Sequence, residues 1–270
     1  VTGYRHPVVD GQTRDIDSGL KGRLTEVYFA ALSSSQAAPL ANRLGERATV
    51  IDPLFGRASG KVAVAAQLDA MSHWLAVRDA SFERFAFVPG SDREVTEGWL
   101  LLTVEGERIR LPVAVVVEKR REREVEVRSY YSTARVRSGP VPPASPLVGG
   151  DPLSLPPPVA AHVEALVRGD VDAVVASFEL GGTVRGPEGV THAKLHGGGP
   201  LRGYYARLLA GGGVGIREHG RVDDGSTSVL EYTVVRIHGR DVAPQSGLAV
   251  YERGESGLLR TVRGYDDVSV

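Results

Sequence analysis

The sequence predicts an α+β protein built twice over. Three observations carry that prediction. A proline-rich stretch breaks the 270-residue chain near its middle. Helix-like segments followed by runs of strand-like segments occur in the same order on both sides of the break. Identical residues also recur across the break at one spacing. Ala31 and Ala165, Leu32 and Leu166, Thr49 and Thr183, Val50 and Val184, and Pro53 and Pro187 each stand 134 apart. Arg128 and Arg263, and Tyr130 and Tyr265, stand 135 apart. Identities at one offset with matching element order are the mark of an internal duplication.

The first copy opens with "LKGRLTEVYFAAL". There Leu20, Leu24, Val27, Tyr28, Ala31 and Leu32 share one helical face. A short helix "QAAPLANRL", a strand "ATVID" and a third helix "KVAVAAQLDAMSHWLAV" follow. The strand-like stretches "SFERFAFV", "REVTEGWLLLTVEG", "ERIRLPVAVVVEK" and "EVEVRSYYSTARV" complete the copy. The second copy reads "VAAHVEALVRG", "VDAVVASF", "GTVRG" and "PLRGYYARLLAG", then "VGIREHGRV", "STSVLEYTVVRIHG", "PQSGLAVYERG" and "LLRTVRGYDDV". Between the copies, "GPVPPASPLVGGDPLSLPPP" holds eight of the sixteen prolines. Such a stretch joins no ladder and stays extended. The expected division is a polar arm at 1–18, a first unit at 19–137, a linker at 138–158 and a second unit at 159–270.

A net charge of −1 and a pI near 6.7 argue against nucleic acid or an anionic membrane as partner. There are no cysteines, so disulfides, thiolate metal sites and thiol nucleophiles are excluded. No apolar run has the length of a membrane span. The first residues are polar and lack a signal-peptide core, which points to the cytoplasm. "HAKLH" (His192, His196) sits in a glycine-rich stretch with no third ligand in view. The glycine runs do not follow strand–loop–helix order. Neither a metal nor a cofactor is therefore expected.

"YFAAL", a short helix and then "ATVIDPLFG" resemble the ketosteroid-isomerase-like, or SnoaL-like, branch of the NTF2-like superfamily. Tyr28 and Asp52 stand 24 apart, which suits that family's helix tyrosine and strand-end Asp-Pro. The resemblance implies two cone-shaped α+β barrels, each a curved sheet wrapped around helices with a pocket between. It also implies chemistry among epoxide hydrolysis, polyketide cyclisation, isomerisation and dehydration. Tandem copies resemble the epoxide hydrolases that close polyether rings. The long strands "GWLLLTV" and "VLEYTVV" are apolar on both faces. The two sheets are therefore expected to pack against each other as an intramolecular pseudo-dimer.

Asp52 reads as a turn residue before proline or, as the family resemblance favours, as a general base or acid with apolar neighbours to raise its pKa. Tyr28 reads as a core tyrosine or as a hydrogen-bond donor to a developing oxyanion. The steroid isomerases add a protonated aspartate on a later strand, which is a worked example in general accounts of pKa tuning. The resemblance places Ala114 at that position. Polyether epoxide hydrolases instead use a glutamate after the third helix, and Glu83 falls within one or two positions of that place. In the second copy, His162 replaces the tyrosine and Gly186 the aspartate, with Glu188 two residues on. Trp74, Trp99, Tyr130 and His162 are candidates to contact substrate. The expected function is acid–base catalysis in the first unit on a small, largely apolar metabolite. The reaction is epoxide opening or a polyketide-type cyclisation, with Asp52, Tyr28 and Glu83 as the catalytic set. A carbonyl isomerase of the ketosteroid type and a non-catalytic binding or scaffold protein are the alternatives.

Overall fold

The computed structural model describes residues 22–120, 124–137, 147 and 154–267. The polar arm lies outside the described residues, as does the linker apart from 147 and 154–158. The first unit comprises helices α1 (Leu24–Ser33), α2 (Ala37–Leu44) and α3 (Lys61–Ala76) with strands β1 (Thr49–Asp52), β2 (Gly56–Ser59), β3 (Ser81–Val88), β4 (Arg93–Val104), β5 (Glu107–Lys119) and β6 (Val125–Tyr130). The second comprises α4 (Pro157–Arg168), α5 (Val171–Ala176), β7 (Phe178–Arg185), β8 (Thr191–Ala193), α6 (Gly199–Leu208), β9 (Gly215–Asp223), β10 (Thr227–Ile237), β11 (Arg240–Arg253) and β12 (Leu259–Tyr265).

The two sheets have the same topology. The first runs β2-β1-β6-β5-β4-β3 and the second β8-β7-β12-β11-β10-β9. Among the described residues, the β1–β6 and β7–β12 pairs are parallel and the others antiparallel. Each first helix thus precedes a short hairpin, and four long strands close the sheet. Two hairpin arms, β2 and β8, were not evident in the sequence, because "GRAS" and "THA" are too short for alternation to show. Helix α1 starts at Leu24 rather than Leu20, which lies outside the described residues. Helix α4 takes in Pro157 and Pro158, the tail of the expected linker. Proline is tolerated in a first turn, where an N–H has no helical partner.

Alternation along the strands decides what each face touches. In β5, Ile109, Leu111, Val113, Val115 and Val117 pack with Tyr28, Phe29, Leu32, Leu40 and Leu68 of the helices. The intervening Ala114 and Val116 face the other sheet. There they join Val88, Val95 and Tyr130 against Val222, Val229, Leu248, Val250 and Tyr265. The sheets therefore meet face to face within one chain, as a pseudo-dimer. Ala114, placed in the first cone by resemblance, lies instead on the interface side. A one-residue register slip moves a side chain to the opposite face. Its cone-facing neighbours, Val113 and Val115, are apolar, so β5 brings no carboxylate into the cone at either place.

The interface carries a reciprocal pair of buried charge clusters. Arg128 donates to Glu231 through Nε at 2.6 Å and Nη2 at 2.8 Å, and the Tyr130 hydroxyl donates to the same carboxylate at 2.6 Å. Arg263 donates to Glu97 at 2.6 and 2.7 Å, and Tyr265 donates to it at 2.5 Å. Glu118 lies 2.7 Å from Arg128, and Glu252 lies 2.7 Å from Arg263. Residues 97 and 231, 118 and 252, 128 and 263, and 130 and 265 are equivalent positions of the two copies. Residue i meeting j while j meets i is the signature of an isologous, two-fold contact.

Candidate functional site

The first cone is built around the hairpin that joins β1 to β2. Asp52 pairs with Gly56 across a three-residue turn. Its Oδ1 accepts the Leu54 N–H at 2.9 Å and the Phe55 N–H at 3.2 Å, which is the usual way an aspartate closes a turn on itself. The same oxygen accepts the Tyr131 hydroxyl at 2.7 Å. Oδ2 accepts no hydrogen bond among the described residues. The turn reading and the catalytic reading of Asp52 are therefore not exclusive, because one oxygen holds the turn and the other stands unbonded in the interior.

The carboxylate is 2% exposed. Burial pushes its pKa above the usual carboxylate range, against the opposing hydrogen bonds from Tyr131, Leu54 and Phe55 and the influence of the Ser129 hydroxyl. Ser129 makes no hydrogen bond of normal geometry, so its effect on Asp52 is one of proximity. Tyr28, fully buried on α1, has its pKa raised by burial and then by the Asp52 charge. Among the described residues its hydroxyl makes a long contact, 3.8 Å, to the Met71 sulfur, and the Ser129 hydroxyl acts against the rise. A donor with so long a contact is suited to turning toward a third group.

Tyr131 and Ser129 were not singled out in the sequence. The signal was present: Arg128 and Tyr130 match their repeat partners, and the alternate residues 129 and 131 fall on the opposite, cone-facing side. The other expected residues are dispersed. Trp74 packs against Phe55 of the Asp52 turn, with ring centroids 6.3 Å apart, so it belongs to this neighbourhood. Glu83 does not. Its side chain is 58% exposed and lies 3.6 Å from Arg110, because alternation in β3 turns Phe82 inward and Glu83 out. Tyr130 is an interface residue bound to Glu231, not a pocket wall. Trp99 also lies on the interface side, with the Arg185 guanidinium of the second unit 4.7 Å from its ring.

The second cone holds a cavity. Its empty space is about 710 Å³ with the open mouth included. His162 lines it, and burial brings the His162 pKa down to about 3. The ring is therefore neutral, with Nδ1 2.9 Å from the Ser177 hydroxyl. A carboxylate is present after all. Asp266, the equivalent of Tyr131, lines the cavity and accepts the Tyr232 hydroxyl at 2.6 Å. Glu188 also comes close, since one of its oxygens sits 2.4 Å from where a Cβ on Gly186 would stand. The glycine at the Asp52 position thus leaves room for a carboxylate arriving from the loop. "His162 and Gly186 in place of Tyr28 and Asp52" describes the second copy's loss but misses Asp266 and Tyr232, which have no acidic or aromatic counterpart among the residues singled out in the first copy.

No family model matches the sequence, and no curated protein does. Solved structures similar to about two-fifths of the chain include an NTF2-like protein of unknown function from Cytophaga hutchinsonii. It has 15% identity and a TM-score of 0.32, and the match covers 41% of this chain and 87% of that one. A hypothetical protein with a ketosteroid isomerase-like fold from Catenulispora acidiphila, solved in complex with trimethylamine, is similar at 15% identity and TM-score 0.36, covering 43% and 91%. The epoxide hydrolase/cyclase-like enzyme SalBIII, of pyran ring formation in the polyether salinomycin, is similar at 18% identity and TM-score 0.34, covering 40% and 87%. No helix among the described residues is long and apolar enough to cross a membrane.

Proposed function

We propose that the first unit is an acid–base catalyst for a small, largely apolar molecule, with Asp52 as the proton carrier and Tyr28 as the hydrogen-bond donor. The observation that carries this reading is the Asp52 carboxylate, buried, raised in pKa and bonded through one oxygen only. A base poised toward neutral pH is what general catalysis needs. Tyr131 and the turn amides fix its orientation, and Tyr28 supplies a donor whose present contact is weak.

Epoxide opening is the reaction that these groups balance most simply. The Asp52 carboxylate removes a proton from water, or from a substrate hydroxyl in a cyclisation. That oxygen bonds to the epoxide carbon as the ring C–O bond breaks. Tyr28 donates a hydrogen bond to the oxygen that leaves as alkoxide. The protonated Asp52 then returns its proton to that alkoxide, and the carboxylate is regenerated. Glu83, being exposed, has no part in this scheme.

The test is hydrolysis of a panel of apolar epoxides, such as styrene oxide and cyclohexene oxide, in ¹⁸O-water. Diol carrying one labelled oxygen is expected, with Asp52→Asn lowering turnover by at least about 10²-fold while the fold persists. Full activity in Asp52→Asn would remove Asp52 from the mechanism, and no turnover of any epoxide would remove the reaction.

A further inference from the structure

The second cavity is independent of the first site, and its walls are chemically specific. Tyr204, Tyr205, Tyr232 and Tyr251 line it together with His162 and Asp266. The rings brace one another. The His162 ring lies 5.7 Å from Tyr205 and 5.6 Å from Tyr251, and Tyr204 stands edge-on to Tyr205 at 5.2 Å. The Tyr232 hydroxyl holds Asp266 at the wall. Charge in the cavity is one-sided. Arg185 also borders it but sends its guanidinium to the interface, where it donates to the Tyr265 hydroxyl at 2.5 Å and lies over Trp99. Arg207 acts on Tyr204 from outside the lining, as does Glu188 with opposite sign. His162 stays uncharged at neutral pH. Among the described lining residues, Asp266 is the group that brings a charge to the guest.

We infer that this cavity binds a small organic cation with a compact apolar body, a protonated or quaternary amine, enclosed by the tyrosine rings with Asp266 as counter-ion. Aromatic rings attract a cation through their quadrupole, most strongly where water is excluded. Methyl groups on nitrogen suit the aliphatic remainder of the wall, and the carboxylate compensates the desolvated charge. An anion would meet Asp266 in the wall and Glu188 acting on Tyr204. A neutral apolar guest would gain nothing from the carboxylate. The modest enclosed space favours a compact guest over an extended chain.

The experiment uses the full chain and two pairs of probes. Choline and its uncharged carbon isostere 3,3-dimethylbutan-1-ol are titrated by calorimetry at pH 7. Tetramethylammonium and its uncharged carbon isostere neopentane serve as a smaller pair. The cation of at least one pair is expected to bind at least tenfold more tightly than its isostere, and Asp266→Asn should abolish that preference. Should Asp266→Asn fail to fold, Tyr204→Leu is compared with Tyr204→Phe. The leucine variant should lose at least fivefold in affinity for the cation, and the phenylalanine variant should keep it. Equal or reversed affinity within both pairs overturns the inference. So does the absence of cation binding up to about 10 mM, which is weaker than a millimolar site.

Discussion

Replacing Glu231 by alanine strips the interface of one carboxylate and leaves Arg128 among groups arranged to pair with it. Both side chains are 3% exposed. Removing one partner of a buried pair costs about 3–5 kcal/mol, mostly as the uncompensated charge left behind. Arg128 retains Glu118 and Glu126, each at 2.7 Å, which argues for the lower end, about 3 kcal/mol. Tyr130 also loses its acceptor. Urea unfolding of Glu231→Ala, Arg128→Ala and the double variant measures the coupling, which should reach about 2 kcal/mol or more. Arg128→Met with Glu231→Leu should restore much of the loss, since an apolar pair of similar volume carries no desolvation cost. The wild-type contribution also depends on pH. Burial works to raise the Glu231 pKa, but Arg128, Arg93 and Tyr130 prevail and hold it below its ordinary 4.5. A depressed folded value means that the stabilisation is complete above the unfolded value and lost as pH falls through the folded one. A coupling below about 0.5 kcal/mol, the scatter of independent sites, would refute the claim that this cluster ties the two sheets together.

Two further outcomes need no substrate. Asp52→Asn should melt higher than wild type at pH 7, because a carboxyl with a raised folded pKa costs stability once the unfolded form ionises; the difference should shrink as pH falls through the unfolded value of 3.8, and a gap that persists well below it would contradict the buried, raised carboxyl. His162, lowered from 6.5 to about 3, makes the fold less stable as pH falls from 6.5 toward 3, because the unfolded chain binds the proton first; His162→Phe should flatten melting temperature against pH in that window, and an unchanged slope would show that His162 does not supply it.

Much of the architecture was legible because it rests on period and punctuation. Helical stripes, long alternating strands and a proline block are local features. "GWLLLTV" and "VLEYTVV" announced two-sided burial directly. Asp52 was legible for the same reason, lying at a strand end before proline, where geometry is set within four residues. The partners of Asp52 were harder to read. Tyr131 reaches it from 79 positions away, across a parallel β1–β6 pairing that no local pattern reveals. Glu83 and Tyr130 misled because chemical type was read without face. One residue of phase separates Phe82 from Glu83, and Tyr130 from Tyr131. The charge clusters at the interface were hidden differently. Glu97 and Glu231 sit in strongly apolar strands, and each makes sense only against an arginine from the other copy.

The contrast between the two faces of each sheet explains how the copies came to differ. The charged and hydroxyl groups of the interface clusters keep their chemistry: glutamate at 97 and 231 and at 118 and 252, arginine at 128 and 263, tyrosine at 130 and 265. The cones share apolar wall residues such as Val50 and Val184, but their polar groups differ: tyrosine against histidine at 28 and 162, aspartate against glycine at 52 and 186, serine against glycine at 129 and 264, tyrosine against aspartate at 131 and 266. The physical reason is reciprocity. An interface residue of one copy is the partner of an interface residue of the other, so changing it strands a buried charge. A cone residue meets only its own helices and its own cavity. In a dimer of identical chains, any change in one cone would appear in both. In a single duplicated chain the cones are free to part, one keeping a carboxylate on the hairpin strand and the other holding one at the end of the last strand, while the faces between them stay matched.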